Sequence, residues 1–169
     1  RARGLGFFGG DGLRKDVLDS MIASGKLPQI KRHLVDRGFT VDRLVSPFPT
    51  VTPPCSATML TGVLPDRHLI PALAWYDRRT GTARLYTSVK ERAINTDLGP
   101  AVATIWELLK PAFRVATVGM PVERGADFRW FHVFWPDPII TKLGLGYLGR
   151  RSPTPTVLAL WYLDVDTSS

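Results

Sequence analysis

The chain has 169 residues, 44% hydrophobic and 22% charged, enough for one globular domain that buries roughly 70% of its unfolded surface. Its 22 Lys and Arg against 15 Asp and Glu leave a net charge of +7 and a pI near 10.0, which favours anionic partners such as phosphate esters, nucleic acid or acidic lipid. One cysteine excludes an internal disulfide, no basic run is long enough for a nucleic-acid patch, and no apolar run reaches membrane-spanning length.

The expectation from the opening Arg1, with no initiating methionine and no signal-peptide core, is a piece of a longer protein. Leu5, Phe7 and Phe8 predict a strand ending at Gly10-Asp11-Gly12-Leu13-Arg14. Asp11 then stands at the carboxyl edge of the first strand, where ligands gather in open α/β sheets. An ordinary Asp-Gly turn is the other reading, and spacing alone leaves the two even. Gly4-Leu5-Gly6-Phe7-Phe8-Gly9 matches the dinucleotide fingerprint in form, but that motif needs a strand before its first glycine. A second match over 144–149 runs on to Pro153 and Pro155, which forbid the helix it should open. Both sets read as flexible or turn glycines.

Val17, Leu18, Met21 and Ile22 predict a helix over 15–24, and Leu27, Ile30, Leu34 and Val35 a second from Pro28 to Gly38. His33 falls between apolar positions of the second and is expected at the surface. Residues 39–45 alternate well enough for a strand, and the strand-helix-helix-strand order predicts a crossover that brings both strand ends to one sheet edge. A proline-bounded turn follows, and a small-residue helix opens near Pro53. Thr52 stands at that junction, where unpaired amides and the helix dipole favour an anion such as phosphate. Its hydroxyl is a nucleophile or an N-cap, and taken alone the cap is the commoner use. Together, Asp11 and Thr52 could share one metal ion, which would lower the hydroxyl's pKa and make it an alkoxide. Cys55, one turn later, offers a thiolate with His68 or His132 as base, against the plainer reading of small core filling.

Arg78-Arg79-Thr80-Gly81 reads as a turn with a returning strand over 83–87. Val102, Ile105, Trp106 and Leu109 predict a helix over 95–111, and a buried strand follows over 113–120. The aromatic-rich stretch 124–135 is read as cover for the core or a further part of the protein, ahead of a pocket wall or membrane contact. Residues 139–155 read as loop or lid. The apolar run 157–163 predicts a buried parallel strand that delivers Asp164 and Asp166 to the edge assigned to Asp11 and Thr52.

Asp11-Gly12-Leu13-Arg14, Leu27-Pro28, Phe48-Pro49-Thr50-Val51-Thr52, Thr61-Gly62, Pro65 and His68, taken in order, resemble the alkaline phosphatase superfamily. Within it they are most similar to the type I phosphodiesterase / nucleotide pyrophosphatase branch, over about residues 7–76 and again over 161–169. The resemblance implies an α/β fold with a mostly parallel sheet flanked by helices, truncated at the C-terminus. Residues 1–169 would be the N-terminal part of a single catalytic domain. It implies metal-dependent hydrolysis of a phosphate diester or monoester, in which Thr52 attacks phosphorus and is transiently phosphorylated. Two divalent ions are implied, zinc being the usual metal, with Asp11 and Thr52 holding one and Asp166 the other.

Asp166-Thr167-Ser168-Ser169 follows the family's Asp-to-His spacing up to its missing last position. The remaining ligands would lie beyond Ser169, since none of His33, His68 and His132 sits in a matching context; Asp164 is read as a neighbour and His68 as structural. Two substrate-binding asparagines of the nucleotide-cleaving members are replaced by Cys55 and Leu73, and a base-stacking aromatic by Pro53. Leucine cannot donate to a phosphoryl oxyanion, which weakens the case for a nucleotide. The implied partner is a small phosphate ester. A site short of its histidines is expected to bind metal weakly and leave the 169 residues inactive. A phosphotransferase or phosphomutase of the same superfamily, or a non-catalytic truncated binding domain, are the alternatives. Oligomeric state and compartment are left open, an extracytoplasmic setting being compatible with the family.

Overall fold

The apolar run near residue 160 is the middle of the molecule. The computed structural model describes residues 4–87, 93–130, 136–149 and 155–164. In chain order its strands are β1 (Gly4–Gly10), β2 (Ala74–Asp77), β3 (Thr82–Leu85), β4 (Arg114–Val118), β5 (Phe128–Trp130) and β6 (Thr156–Tyr162). β1, β6, β4 and β5 form one sheet in that order, parallel throughout, while β2 and β3 form a separate antiparallel hairpin.

β6 is buried on both faces, which is why its sequence is continuously apolar rather than alternating. Val157, Ala159 and Trp161 join one core with Trp106, Tyr86, Ile70 and Leu60. Leu158 and Leu160 join a second with Ile140, Tyr147, Ala116 and Val118. Phe7 of β1 meets Trp106 edge-on, ring centroids 5.9 Å apart. Because β1 and β6 run parallel, their carboxyl ends share one edge, and the Asp11 N–H donates to the Tyr162 carbonyl at 2.9 Å.

The helices are α1 (Lys15–Ala23), α2 (Pro28–Ile30) with a π-helical turn at Lys31–Val35, α3 (Thr52–Thr61), α4 (Pro65–His68), α5 (Ile94–Asp97), α6 (Ile105–Leu109) and α7 (Asp137–Leu148). The helix predicted over 95–111 is two, α5 and α6, divided at Gly99-Pro100. A capping box restarts it: the Thr104 hydroxyl accepts from the Glu107 N–H at 3.2 Å, and Glu107 Oε2 accepts from the Thr104 N–H at 2.7 Å.

Four further expectations are corrected. Residues 39–45 form no strand; they have no regular structure and are open to solvent, with Phe39 and Val45 each 91% exposed. Alternation gave them strand character, but a strand exists only through ladder bonds, and β1 pairs with β6 while its other edge is open among the described residues. The predicted crossover onto the sheet edge is therefore not made.

Of the loop or lid expected over 139–155, residues 139–148 belong to helix α7, which takes in Gly144 and Gly146, and 150–154 lie outside the described residues. Pro138 fits its first turn, and Gly144 lets it lie close on the sheet, where a Cβ would come within 2.7 Å of Leu160 Cδ2. The glycines of β1 are likewise not turn glycines. They are strand residues, and Gly9 leaves room for the Trp161 indole that packs where its Cβ would be. No helix of the described residues is long and apolar enough to cross a membrane.

Candidate active site

The segment before α3 ends at Val51, whose extended backbone (φ −122°, ψ 154°) caps the helix without a side-chain hydrogen bond. Thr52 is the first helical residue, one place past the cap, and its hydroxyl makes no hydrogen bond among the described residues. The N-cap reading therefore does not account for it. Pro53 and Pro54 have no N–H to offer, and the Cys55 N–H donates to the Val51 carbonyl at 3.2 Å. Of the first-turn amides, only that of Thr52 is left open among the described residues. The helix end keeps its dipole but supplies fewer amide donors than the sequence suggested.

Asp11 and Thr52 line one cleft of about 390 Å³ at the carboxyl edge of the sheet. Cys55, Ser56 and Met59 line it too, at the i+3, i+4 and i+7 positions that share a helix face with Thr52. Trp161 and residues 44–47 supply its apolar walls. Asp11 is half-buried, with Oδ1 accepting from the Gly12 N–H at 3.1 Å. No lysine, arginine or histidine lines the cleft among the described residues.

His68 is fully buried behind α3. Its Nδ1 accepts from the Ile70 N–H at 3.1 Å, so Nε2 carries the proton and donates to Thr58 Oγ1 at 2.9 Å. Burial pushes its pKa below the ordinary histidine value. Both ring nitrogens are occupied, so His68 cannot serve as base for Cys55, whose Sγ faces the Pro49 carbonyl at 3.9 Å. The other base considered, His132, lies outside the described residues, and His33 is exposed.

Leu73 is 40% exposed at the entrance to the β2–β3 hairpin, where its carbonyl accepts from Tyr86 N–H; it is not among the residues that line the cleft. Asp164, at the end of β6, accepts at Oδ2 from the Asp137 N–H at 3.0 Å, and Asp137 Oδ1 accepts from Leu163 N–H at 3.0 Å. This exchange fastens the start of α7 to the same edge. Asp166, two residues on, lies outside the described residues. Among the described residues no group of three His, Cys, Asp or Glu is placed to hold a metal ion.

A family model described as type I phosphodiesterase / nucleotide pyrophosphatase matches residues 7–157. The chain belongs to this family. A sequence search of the curated proteins finds no match. Among solved structures, murine ectonucleotide pyrophosphatase / phosphodiesterase 5 superposes with a TM-score of 0.68 at 17% identity, over 97% of this chain and 44% of that one. Phosphonoacetate hydrolase from Sinorhizobium meliloti, solved with phosphonoacetate, gives a TM-score of 0.68 at 18% identity, over 98% and 47%. The human ectonucleotide pyrophosphatase / phosphodiesterase 5 gives 0.65 at 16%, over 99% and 44%. The chain thus has the fold of these proteins and spans less than half the length of each.

In this phosphodiesterase-family chain the sequence reading missed Met59, Trp161 and residues 44–47 as cleft walls. Met59 was recoverable, two helical turns beyond Thr52 on one face. Trp161 was hidden, because a residue inside a continuous apolar run gives no sign of which neighbour it will cover.

Proposed function

We propose that the chain carries the nucleophile end of a metal-dependent phosphoesterase, and that residues 1–169 form the N-terminal part of one catalytic domain. Its reaction is hydrolysis of a phosphate diester or monoester through phosphothreonine at Thr52. The observation that carries this reading is that Asp11 and Thr52 line one cleft at the carboxyl edge of the sheet. The membership of the chain in the type I phosphodiesterase family supports it. So does a murine neighbour, solved as an inactive threonine-to-alanine variant in complex with AMP.

The donor set also bears on the metal. A phosphate ester in this cleft would meet the Asp11 carboxylate and no lysine or arginine among the described residues. A divalent cation would remove that repulsion, and Asp11 and Thr52 would hold it through two oxygen donors. Such an ion polarises the phosphoryl oxygen and lowers the pKa of a coordinated hydroxyl. Asp166 is proposed for a second ion. Zinc suits this chemistry, though the oxygen donors fit manganese as well.

Thr52 Oγ1, its proton released to solvent, then attacks phosphorus in line; its bond to phosphorus forms as the ester P–O bond breaks, and the departing alkoxide takes a proton from solvent. Water then attacks the phosphothreonine; the P–Oγ1 bond breaks, a phosphate or phosphate monoester is released, and Oγ1 takes up a proton to restore the hydroxyl. The cleft's apolar walls hold the organic part of the ester and exclude competing water.

The test is turnover of bis(4-nitrophenyl) phosphate with zinc or manganese, for the 169 residues and for a longer form carrying the second half present in the relatives. The expected result is no turnover from the first, and from the second a turnover that falls at least about a thousandfold in Thr52→Ala. Quenched digests should carry phosphate on Thr52. Full turnover by Thr52→Ala contradicts the proposal.

A further inference from the structure

A second cleft, of about 480 Å³, opens between α4, the β2–β3 hairpin and α5. None of its lining residues lines the Asp11–Thr52 cleft. Trp75, Pro71 and Leu98 give it flat apolar walls, and Arg79, Arg84, Asp77 and Asp97 its charges.

Those charges are not equally available. Asp77 is spent on its own turn: Oδ1 accepts from the Arg79 N–H at 2.9 Å and Oδ2 from the Thr80 hydroxyl at 2.8 Å. Asp97 accepts at Oδ2 from the Tyr86 hydroxyl at 2.9 Å, and its Oδ1 lies 3.3 Å from Arg84 Nη1. Tyr86 accepts in turn from Trp75 Nε1 at 3.3 Å, so the indole, phenol and carboxylate form one chain that holds Arg84 in place. The arginines keep donors in hand. The Arg84 side chain, one nitrogen of which faces Asp97, is 32% exposed where it lines the cleft, and the Arg79 guanidinium makes no ion pair among the described residues. A guanidinium edge fits a planar or tetrahedral oxyanion two bonds at a time.

We propose that this cleft is a second binding site, for a flat apolar molecule bearing one anionic group such as a carboxylate, sulfonate or phosphate. The anion bridges Arg79 and Arg84, and the flat body lies along Trp75 and the proline wall. A volume of about 480 Å³ suits a bicyclic ring system with its charged group.

Calorimetric titration of the 169-residue chain with naphthalene-2-carboxylate tests it. Saturable binding is expected, weakened at least about fivefold in Arg79→Gln and in Arg84→Lys, the second keeping charge but losing the planar fork. Naphthalene-2-carboxamide should bind at least about tenfold more weakly, because it lacks the charge. Thr52→Ala should bind as the parent does, which separates this site from the proposed catalytic one. Arg79 sits on an exposed turn, so its variant stays informative even if Arg84→Lys loosens the fold. Absence of saturable binding, equal binding of the carboxamide, or full affinity in Arg79→Gln would overturn the proposal.

Discussion

His68 Nε2 donates to Thr58 Oγ1 across 2.9 Å, tying the helix that begins at Thr52 to the chain behind it. A buried neutral imidazole with both nitrogens occupied makes this tie depend on pH. Burial holds the folded pKa below the unfolded value of 6.5, so the unfolded state takes up the proton first. The contribution of His68 to stability is complete above about pH 6.5 and is lost as pH falls from there toward the lowered folded value. Thermal melts from pH 8 to pH 4.5 should show a loss of Tm that sets in below pH 6.5. His68→Gln should flatten that part of the curve and cost about 2–3 kcal/mol at pH 8. An unchanged acid profile in the variant would remove His68 as the anchor.

Thr52→Ala separates function from structure at one residue. A true N-cap hydroxyl would cost about 1 kcal/mol on removal. Thr52 is one place past the cap, with its hydroxyl unbonded among the described residues. The variant should therefore stay within about 0.5 kcal/mol of the parent in chemical denaturation. A loss near 1 kcal/mol would mean that the hydroxyl serves the helix after all.

Much of this arrangement was legible in the residues. The run at 157–163 announced a strand buried on both faces, and Asp11 and Thr52 could be placed at strand and helix junctions by turn chemistry alone. Residues 39–45 show where such reading stops. Period-two alternation reports a side-chain pattern and is silent about whether a neighbour supplies the ladder, and here β1 leaves that edge open among the described residues. The α7 region failed for the opposite reason. Gly144 looks like a turn residue until the sheet beneath it is known, since closeness to Leu158 and Leu160 decides its use. The second cleft was out of reach, because Arg79, Arg84 and Asp97 come together only through the hairpin and α5.

Two glycines in α7 should answer the same substitution with opposite signs. Gly146 has nothing within 4 Å of an added Cβ, so Gly146→Ala should gain about 0.5–1 kcal/mol from helix propensity. At Gly144 the same gain competes with contacts of 2.7 Å to Leu160 and 3.3 Å to Leu158. Overpacking costs about 1–3 kcal/mol, so Gly144→Ala should lose stability. Urea midpoints of the two variants check this, and a stabilised Gly144→Ala would show that α7 sits more loosely than described.

The central claim is that Asp11 and Thr52 address one metal ion, and zinc titration of the 169-residue chain tests it most directly. Asp11→Asn keeps the size and the turn acceptor while removing the charge. The account predicts weak binding of zinc by the parent chain and at least about a tenfold further loss in Asp11→Asn. Equal zinc affinity in the two proteins would contradict it.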